Sequence, residues 1–295
     1  VRRPNKAAKA VCCPLCKAAD QSLHKTVADV AYYECAVCDF IYVDPAVCAR
    51  IDRGTPLVSY DRGYWQQELS AARERSRGSS LARAAEVILY CRIPIARFID
   101  IGTGPGYLLD ALSWILPESR EKFYGVELFP PEPAERSTHP NYVVGTLGAA
   151  GLTFQSGCCI EVIEHLTPRM MRAFALELAN CSDPGACYIF NTGLTDYVKH
   201  EDPNYIDPHR RGHISIWSVT AARRIFKAPK FKVHALPGKT WAFLVEVEQE
   251  TGSNGGAIND RIWTPCEANA RMLKDEQTGS LMYVLGIDTA RAYLL

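Results

Sequence analysis

Arg97-Phe98-Ile99-Asp100-Ile101-Gly102-Thr103-Gly104-Pro105-Gly106-Tyr107-Leu108-Leu109 is the stretch whose reading decides the fold. A short apolar run ends in an acid, passes through three alternating glycines and resumes with helical apolar spacing. The pattern predicts a buried parallel strand, a tight loop and the start of a helix. Glycine there lets the main chain turn sharply and lets a ligand approach it closely. The unpaired N–H groups of the new helix would face that ligand.

Alternating glycines fit any tight βα turn, so the next strand matters more. About twenty residues on, Phe123-Tyr124-Gly125-Val126-Glu127 reads as an apolar strand ending in an acid. An acid at that place in nucleoside-binding α/β folds accepts hydrogen bonds from ribose hydroxyls. A nicotinamide fingerprint would set its third glycine one position later. With Asp100 closing the strand, the pattern resembles motif I of class I S-adenosylmethionine (SAM)-dependent methyltransferases, with Glu127 as the motif II acid. The resemblance implies an α/β fold with a Rossmann-like seven-stranded class I methyltransferase sheet and SAM as cofactor. It also implies cofactor contacts from Asp100, Gly102, Thr103, Gly104, Gly106 and Glu127. The competing reading is an ordinary βα unit with a solvent-facing Glu127.

Composition bounds the remainder. The 295 residues suit one large domain or a domain with an appended module, and 47% apolar with 22% charged residues is a globular profile. Thirty-three basic residues balance thirty-three acidic ones, which gives no global pull on nucleic acid. No apolar run reaches the roughly 18 residues of a membrane span, and the basic start lacks the apolar core of a secretory signal. The expected place is the reducing cytoplasm, with the twelve cysteines outside any disulfide scaffold.

Those cysteines carry the second motif. After a basic arm over residues 1–10, Cys13-Pro14-Leu15-Cys16 and Cys35-Ala36-Val37-Cys38 match the paired Cys-x2-Cys spacing of a tetrahedral thiolate zinc site. The segment between them, with Tyr32 and Tyr33, reads as a β-hairpin. Four sulfur ligands close the coordination sphere, so the expected zinc is structural. Phe40-Ile41-Tyr42-Val43-Asp44-Pro45 reads as a strand and turn, and residues 46–60 as a linker or short helix.

Tyr60-Asp61-Arg62-Gly63-Tyr64-Trp65 follows, then a charged helical stretch from Glu68 to about Tyr90. A ribbon, an aromatic-Val-Asp-Pro closure and Tyr-Asp-x-x-Tyr-Trp ahead of motif I together resemble a bacterial group of ribbon-bearing class I methyltransferases. That resemblance implies a helix covering the cofactor, with Tyr60 and Tyr64 as lid residues. The alternative is that these aromatics fix the ribbon against the catalytic domain. The resemblance also implies acceptors from polysaccharide or secondary-metabolite assembly.

Prolines over residues 129–140 argue against a full helix before the third strand, Tyr142-Val143-Val144-Gly145. The family's adenine-binding acid is missing after that strand, which leaves Thr146 and Leu147 as neighbours of the base. Cys158-Cys159-Ile160-Glu161-Val162-Ile163-Glu164-His165-Leu166-Thr167-Pro168 resembles the family's strand-four motif, with a shortened or altered approach over residues 154–157. Glu161 would lie near the methionine end of SAM, and Glu164 and His165 would open the next helix. A carboxylate–imidazole pair can act as a general base toward a hydroxyl. The competing roles are a helix-capping Glu164 and a packed His165.

Ser182-Asp183-Pro184-Gly185 reads as a turn before strand five, and residues 193–212 as a long polar loop of the kind that builds substrate pockets. His213 is the other candidate base, ahead of a helix at Val219–Phe226. Residues 230–250 alternate as a closing antiparallel pair, Gly252–Gly256 form a flexible break, and the last segment reads as helical around Met282, Leu285, Ala290 and Leu294.

The chain thus divides into a ribbon with its arm (1–50), a methyltransferase domain (51–250) and a helical extension (251–295). The expected activity is methyl transfer to a small-molecule or sugar acceptor, at oxygen, with His165, His213 and Glu164 as catalytic candidates. Glu161, Glu164, His165 and His213 also resemble the metal-binding set of small-RNA 2′-O-methyltransferases, which implies a Mg²⁺- or Mn²⁺-like ion polarising a ribose hydroxyl. RNA methylation is therefore one alternative, and a non-catalytic binding protein with a degenerate SAM pocket is the other. No membrane partner is expected.

Overall fold

The computed structural model describes residues 12–248, 257–278 and 280–293. The first strands are β1 (Gln21–Val27), β2 (Val30–Cys35) and β3 (Phe40–Val43). Helices α1 (Pro45–Ile51), α2 (Arg62–Arg77) and α3 (Ser79–Tyr90) lead to β4 (Phe98–Ile101), α4 (Tyr107–Ile115), β5 (Phe123–Glu127) and β6 (Tyr142–Val144). Then come β7 (Phe154–Ile160), α5 (Pro168–Asn180), β8 (Ser182–Asn191), α6 (Thr195–His200), β9 (Ser215–Ile216) and α7 (Val219–Phe226). Strands β10 (Phe231–Ala235) and β11 (Ala242–Val247) and helices α8 (Glu267–Leu273) and α9 (Leu281–Arg291) complete the described order.

Seven strands form one sheet in the order β10-β11-β8-β7-β4-β5-β6. Strands β6, β5, β4, β7 and β8 are parallel, and β11 alone runs against its neighbours. This is the Rossmann-like seven-stranded sheet of class I methyltransferases. The order reverses at β4, so the carboxyl ends of β4, β5 and β7 open a crevice where such folds bind ligands.

Alternation along each strand distributes side chains to two helical layers. Ile99, Ile101, Cys159, Tyr188, Phe190, Phe243 and Val245 pack with α5 and α7. Phe98, Cys158, Cys187, Ile189 and Leu244 pack with α3, α4, α8 and α9 on the opposite face. Burial on both faces explains why these strands read as continuous apolar runs.

The ribbon strands form a second sheet, β1-β2-β3-β9, in which β9 belongs to the segment after the long loop. That pairing, Ile41 with Ile216 and Tyr42 with Ser215, joins the N-terminal module to the body of the molecule.

Several expectations need correction. The helical stretch toward Tyr90 is two helices, broken at Gly78 (φ −138°, ψ −96°), where glycine and two serines offer poor helix propensity. The approach to strand four is not shortened, because β7 begins at Phe154. Ser182–Gly185 belongs to β8 as an irregularity: register slips between the Phe154–Ser182 and Ser156–Cys187 pairs. The polar loop contains α6. Glu164 and His165 do not open a helix. They sit in a 3-10 turn, Ile163–His165, and α5 starts later with Thr167 as its cap. Helix α9, expected as a helical segment, lies along α3, where Gly286 permits close approach to Ala85 and Leu89. The N-terminal arm, the Gly252–Gly256 break and Leu294 fall outside the described residues.

Candidate functional site

The glycine loop between β4 and α4 puts Gly102, Gly104 and Gly106 in left-handed backbone (φ +71°, +57° and +81°). A Cβ on Gly102 would lie 2.4 Å from Val162 Cγ2, and one on Gly104 would lie 3.2 Å from the Trp65 ring. Side chains are excluded there by backbone and by space. The Gly104 N–H donates to Glu127 Oε2 and the Phe129 N–H to Glu127 Oε1, both at 2.9 Å. Each carboxylate oxygen retains a second lone pair for a ligand hydroxyl. Asp100 is buried beneath the loop and accepts from Thr103 Oγ1 at 2.6 Å. Burial raises its carboxyl to about 7.

Helix α2 covers this loop. Its cap, Asp61, accepts from the Gly63 and Tyr64 N–H groups. Trp65 lies over Gly104 and donates its indole N–H to the Phe129 carbonyl at 3.0 Å. Tyr60 stacks on Phe129, meets Tyr64 edge-on, and meets His165 edge-on at 5.9 Å. These rings join the glycine-loop end of the crevice to the end of β7. Of the two candidate neighbours of the base, Leu147 is buried in the core on the α5 side.

At the end of β7 the chain brings Glu161, Glu164, His165 and His213 together. Three contacts hold the turn against the β9 segment: Ile214 N–H to the Glu164 carbonyl, Ser215 Oγ–H to the Leu166 carbonyl, and Trp217 Nε1–H to the Ile163 carbonyl. Tyr32 of the ribbon donates to the His213 carbonyl at 2.7 Å. His165 Nδ1 faces the Gly212 carbonyl at 3.2 Å, and His213 Nδ1 faces the Tyr205 carbonyl at 2.7 Å. Carbonyls only accept, so His213 carries a proton on Nδ1 and turns its Nε2 toward Glu164, whereas the His165 ring meets a second carbonyl, that of Glu161, besides Gly212. Both Nε2 atoms lie 3.9 Å from Glu164 Oε1. Glu164 is fully buried, and its Oε2 has no hydrogen-bond partner among the described residues.

Burial raises the Glu164 carboxyl. Burial, followed by the neighbouring Glu164 charge, pushes Glu161 up to about 8. Burial lowers both imidazoles, His213 to about 3, and keeps them neutral. His165 keeps more solvent contact than His213, with 15% against 4% of its side chain exposed. Neutral imidazoles beside a carboxylate can take a proton or bind a cation. Tyr205 links the two acids, its hydroxyl 3.0 Å from Glu161 Oε2 and 3.2 Å from Glu164 Oε1. Composition marked Tyr205 only as one polar residue of a long loop. Nothing local in the sequence signals this role.

Ahead of β1 and at the β2–β3 turn the four cysteines converge. Cys13 and Cys38 sulfurs are 3.7 Å apart and Cys16 and Cys35 sulfurs 3.5 Å, and all four lie within 4.8 Å of one another. Tetrahedral ligands at a Zn–S length of about 2.3 Å would be about 3.8 Å apart, so the residues fit a zinc ion. Contact with Cys38 draws the Cys13 thiol down to about 5, which favours a thiolate. Each knuckle closes on a left-handed residue, Lys17 or Asp39. Arg172 Nη2 holds the Leu15 carbonyl and Ser218 Oγ holds the Cys38 carbonyl.

No family model matches the chain, and no curated protein matches it. Among solved structures it is similar to human N-acetylserotonin methyltransferase in complex with SAM, at 13% identity and a TM-score of 0.46. That alignment covers 64% of this chain and 57% of the human enzyme, so the chain spans little more than half of that protein's length. It is also similar to a SAM-bound amino pentose methyltransferase of Micromonospora echinaspora (17% identity, 61% of this chain, 95% of that one, TM-score 0.46). A methyltransferase from Haloferax volcanii, in complex with the Trm112 activator, matches at 15% identity over 65% of this chain and 99% of that one (TM-score 0.44). Likeness at this level carries no argument about activity. The strand order and the site geometry carry it instead.

Proposed function

We propose that this chain is a SAM-dependent methyltransferase that acts on an oxygen of a small-molecule or sugar acceptor. The observation that carries the reading is the placement of Glu127 beside the Gly104 N–H, at the carboxyl ends of β5 and β4. A carboxylate with spare lone pairs, next to a glycine loop too tight for side chains, suits a ribose. In this reading Asp100 and Thr103 set the loop from below, Tyr64 and Trp65 close it from above, and Glu161 faces the methionine end. Residues 51–250 form the catalytic domain, 1–50 the ribbon with a structural zinc held by Cys13, Cys16, Cys35 and Cys38, and 251–295 an extension.

When bound, SAM supplies a methyl group already activated on a sulfonium sulfur. The chain's own task is to exclude water, align the acceptor oxygen and accept its proton. His165 suits that last role best, since its side chain is the more exposed of the two imidazoles and Glu164 Oε1 lies 3.9 Å from its Nε2. His213 supports the ring of His165, 5.2 Å away.

Radiolabelled methyl transfer to hydroxylated metabolites and sugars, with RNA oligonucleotides in parallel, tests the reading. His165→Ala should slow transfer by roughly 100-fold while leaving cofactor affinity within twofold. Transfer to RNA alone would favour the second reading.

That second reading has its own observation: Glu164 Oε2 has no hydrogen-bond partner among the described residues, and the His165 and His213 Nε2 atoms both lie 3.9 Å from its other oxygen, Oε1. Glu164, His165 and His213 fit a divalent ion, with both rings oriented by backbone carbonyls. Bound there, a Mg²⁺- or Mn²⁺-like ion would polarise an acceptor hydroxyl. Loss of transfer on chelation and its recovery with Mn²⁺ would favour this arrangement over an unassisted base.

A further inference from the structure

Glu161 stands in left-handed backbone, φ +55°, at the end of β7. A non-glycine residue persists there only where its surroundings hold it. Asn191, at the end of the neighbouring β8, holds it twice. Its carbonyl accepts the Glu161 N–H at 2.9 Å, and its Nδ2 donates to Glu161 Oε1 at 3.1 Å. A side-chain amide can turn over, exchanging donor and acceptor. On the far side of this amide lies Arg83 Nε, 3.1 Å from Asn191 Oδ1. A guanidinium only donates. With Arg83 in place, Asn191 must turn its oxygen to α3 and its N–H to Glu161.

Arg83 is itself fixed. Its guanidinium carbon lies 3.7 Å from the centre of the Trp241 ring, and Nη1 is 3.8 Å from Glu86 Oε2. The other Glu86 oxygen pairs with Lys239, and both of those side chains are fully buried. Lys239 rests on the Tyr293 ring, 3.8 Å from its centre. Planar stacking and a fork of donors suit arginine to this place, and lysine would not reproduce them.

We infer that Arg83 is a positioning residue: acting through Asn191, it presents the Glu161 carboxyl group to the bound cofactor. The inference rests on the reading that Glu161 faces the methionine end of an S-adenosyl ligand. Arg83 touches neither Glu161 nor that end of the crevice. Its effect on the ligand therefore passes through Glu161 and disappears when Glu161 cannot use it.

A double-mutant cycle reads that dependence. Calorimetric affinity for S-adenosylhomocysteine is measured for wild type, Arg83→Met, Glu161→Gln and the double variant, with urea unfolding of each. Arg83→Met and Glu161→Gln should each weaken binding by roughly tenfold, and the double variant by no more than the worse single change. Losses that multiply to roughly 100-fold, or an Arg83→Met affinity equal to wild type, would overturn the inference. If Arg83→Met does not fold, Arg83→Lys keeps a charge against Glu86 and carries the same cycle. Its expected loss is roughly threefold, again absent on the Glu161→Gln background. Absence of binding by folded wild type would instead refute the underlying cofactor reading.

Discussion

At the scale of single residues, the site is defined by groups whose burial decides their charge. Asp100 sits under the glycine loop with its carboxyl raised to about 7 by burial. A raised acid is held protonated by the fold, so its contribution to stability is complete below about pH 4 and is lost as pH rises toward 7. Keeping that acid protonated is worth roughly 4 kcal/mol, which is lost by the time it ionises. Asp100→Asn keeps an acceptor for Thr103 and cannot ionise. Urea unfolding between pH 4 and 7 should show the wild-type loss reduced by roughly that amount in the variant, Glu161 and Glu164 still contributing theirs, and parallel pH profiles would contradict it. The glycines, Asp100 and Glu127 were legible in the sequence because a tight βα turn leaves a local pattern. Asn191, Tyr205 and Arg83 were not. Their roles arise only where β8, the loop after α6, and α3 meet, and no spacing along the chain encodes that meeting.

At the scale of elements, the ribbon and α2 show two kinds of legibility. The paired Cys-x2-Cys motifs specify their own geometry, and the four sulfurs converge as that spacing requires. We expect about one zinc per purified chain. Cys16→Ser should lose the metal and, because Arg172 and Ser218 bind the knuckle carbonyls, loosen the contact with α5 and α7. Metal analysis paired with hydrogen exchange over β1–β3 checks this. Full protection in a metal-free variant would show that the ribbon stands without zinc. Helix α2 was legible as a helix but not in its limits. Its charged faces continue the helical pattern past Gly78, and only Trp65 and Ser76 are buried along it. The break is a local backbone event that apolar periodicity does not register. The turn carrying Glu164 and His165 was misplaced for a related reason: Thr167, three residues on from Glu164, supplies a better cap for α5.

At the scale of the whole molecule, separate stretches depend on one another. Ribbon strand β3 pairs with β9, and β9 braces the turn that carries Glu164 and His165. The C-terminal extension is anchored on the sheet by Arg261, whose guanidinium grips both oxygens of Glu246 on β11 at 2.7 and 2.9 Å. Burial opposes ionisation of Glu246, but hydrogen bonds from His234 and Arg261 prevail and hold it at about 2. A depressed acid stabilises the fold above the ordinary carboxylate range and loses that effect as pH falls toward 2. Glu246→Gln should cost about 3 kcal/mol in urea unfolding at pH 7, since it leaves Arg261 buried without its partner. A change below about 0.5 kcal/mol would mean that other contacts, such as the hydrogen bonds of buried Asn269 to the Ile88, Cys91 and Ile93 carbonyls, hold the extension without this pair. The seven-stranded sheet was expected from the resemblance carried by the glycine loop and the strand-four motif, whereas the attachment of ribbon and extension was not legible, because both depend on pairings distant in sequence. The central claim, a nucleoside cofactor seated on Glu127 and the glycine loop, is tested most directly by calorimetric titration with S-adenosylhomocysteine of wild type and Glu127→Ala. Micromolar binding by wild type that weakens at least roughly tenfold in the variant is the predicted result. No binding by folded, zinc-loaded wild type, or equal binding by both proteins, would contradict it.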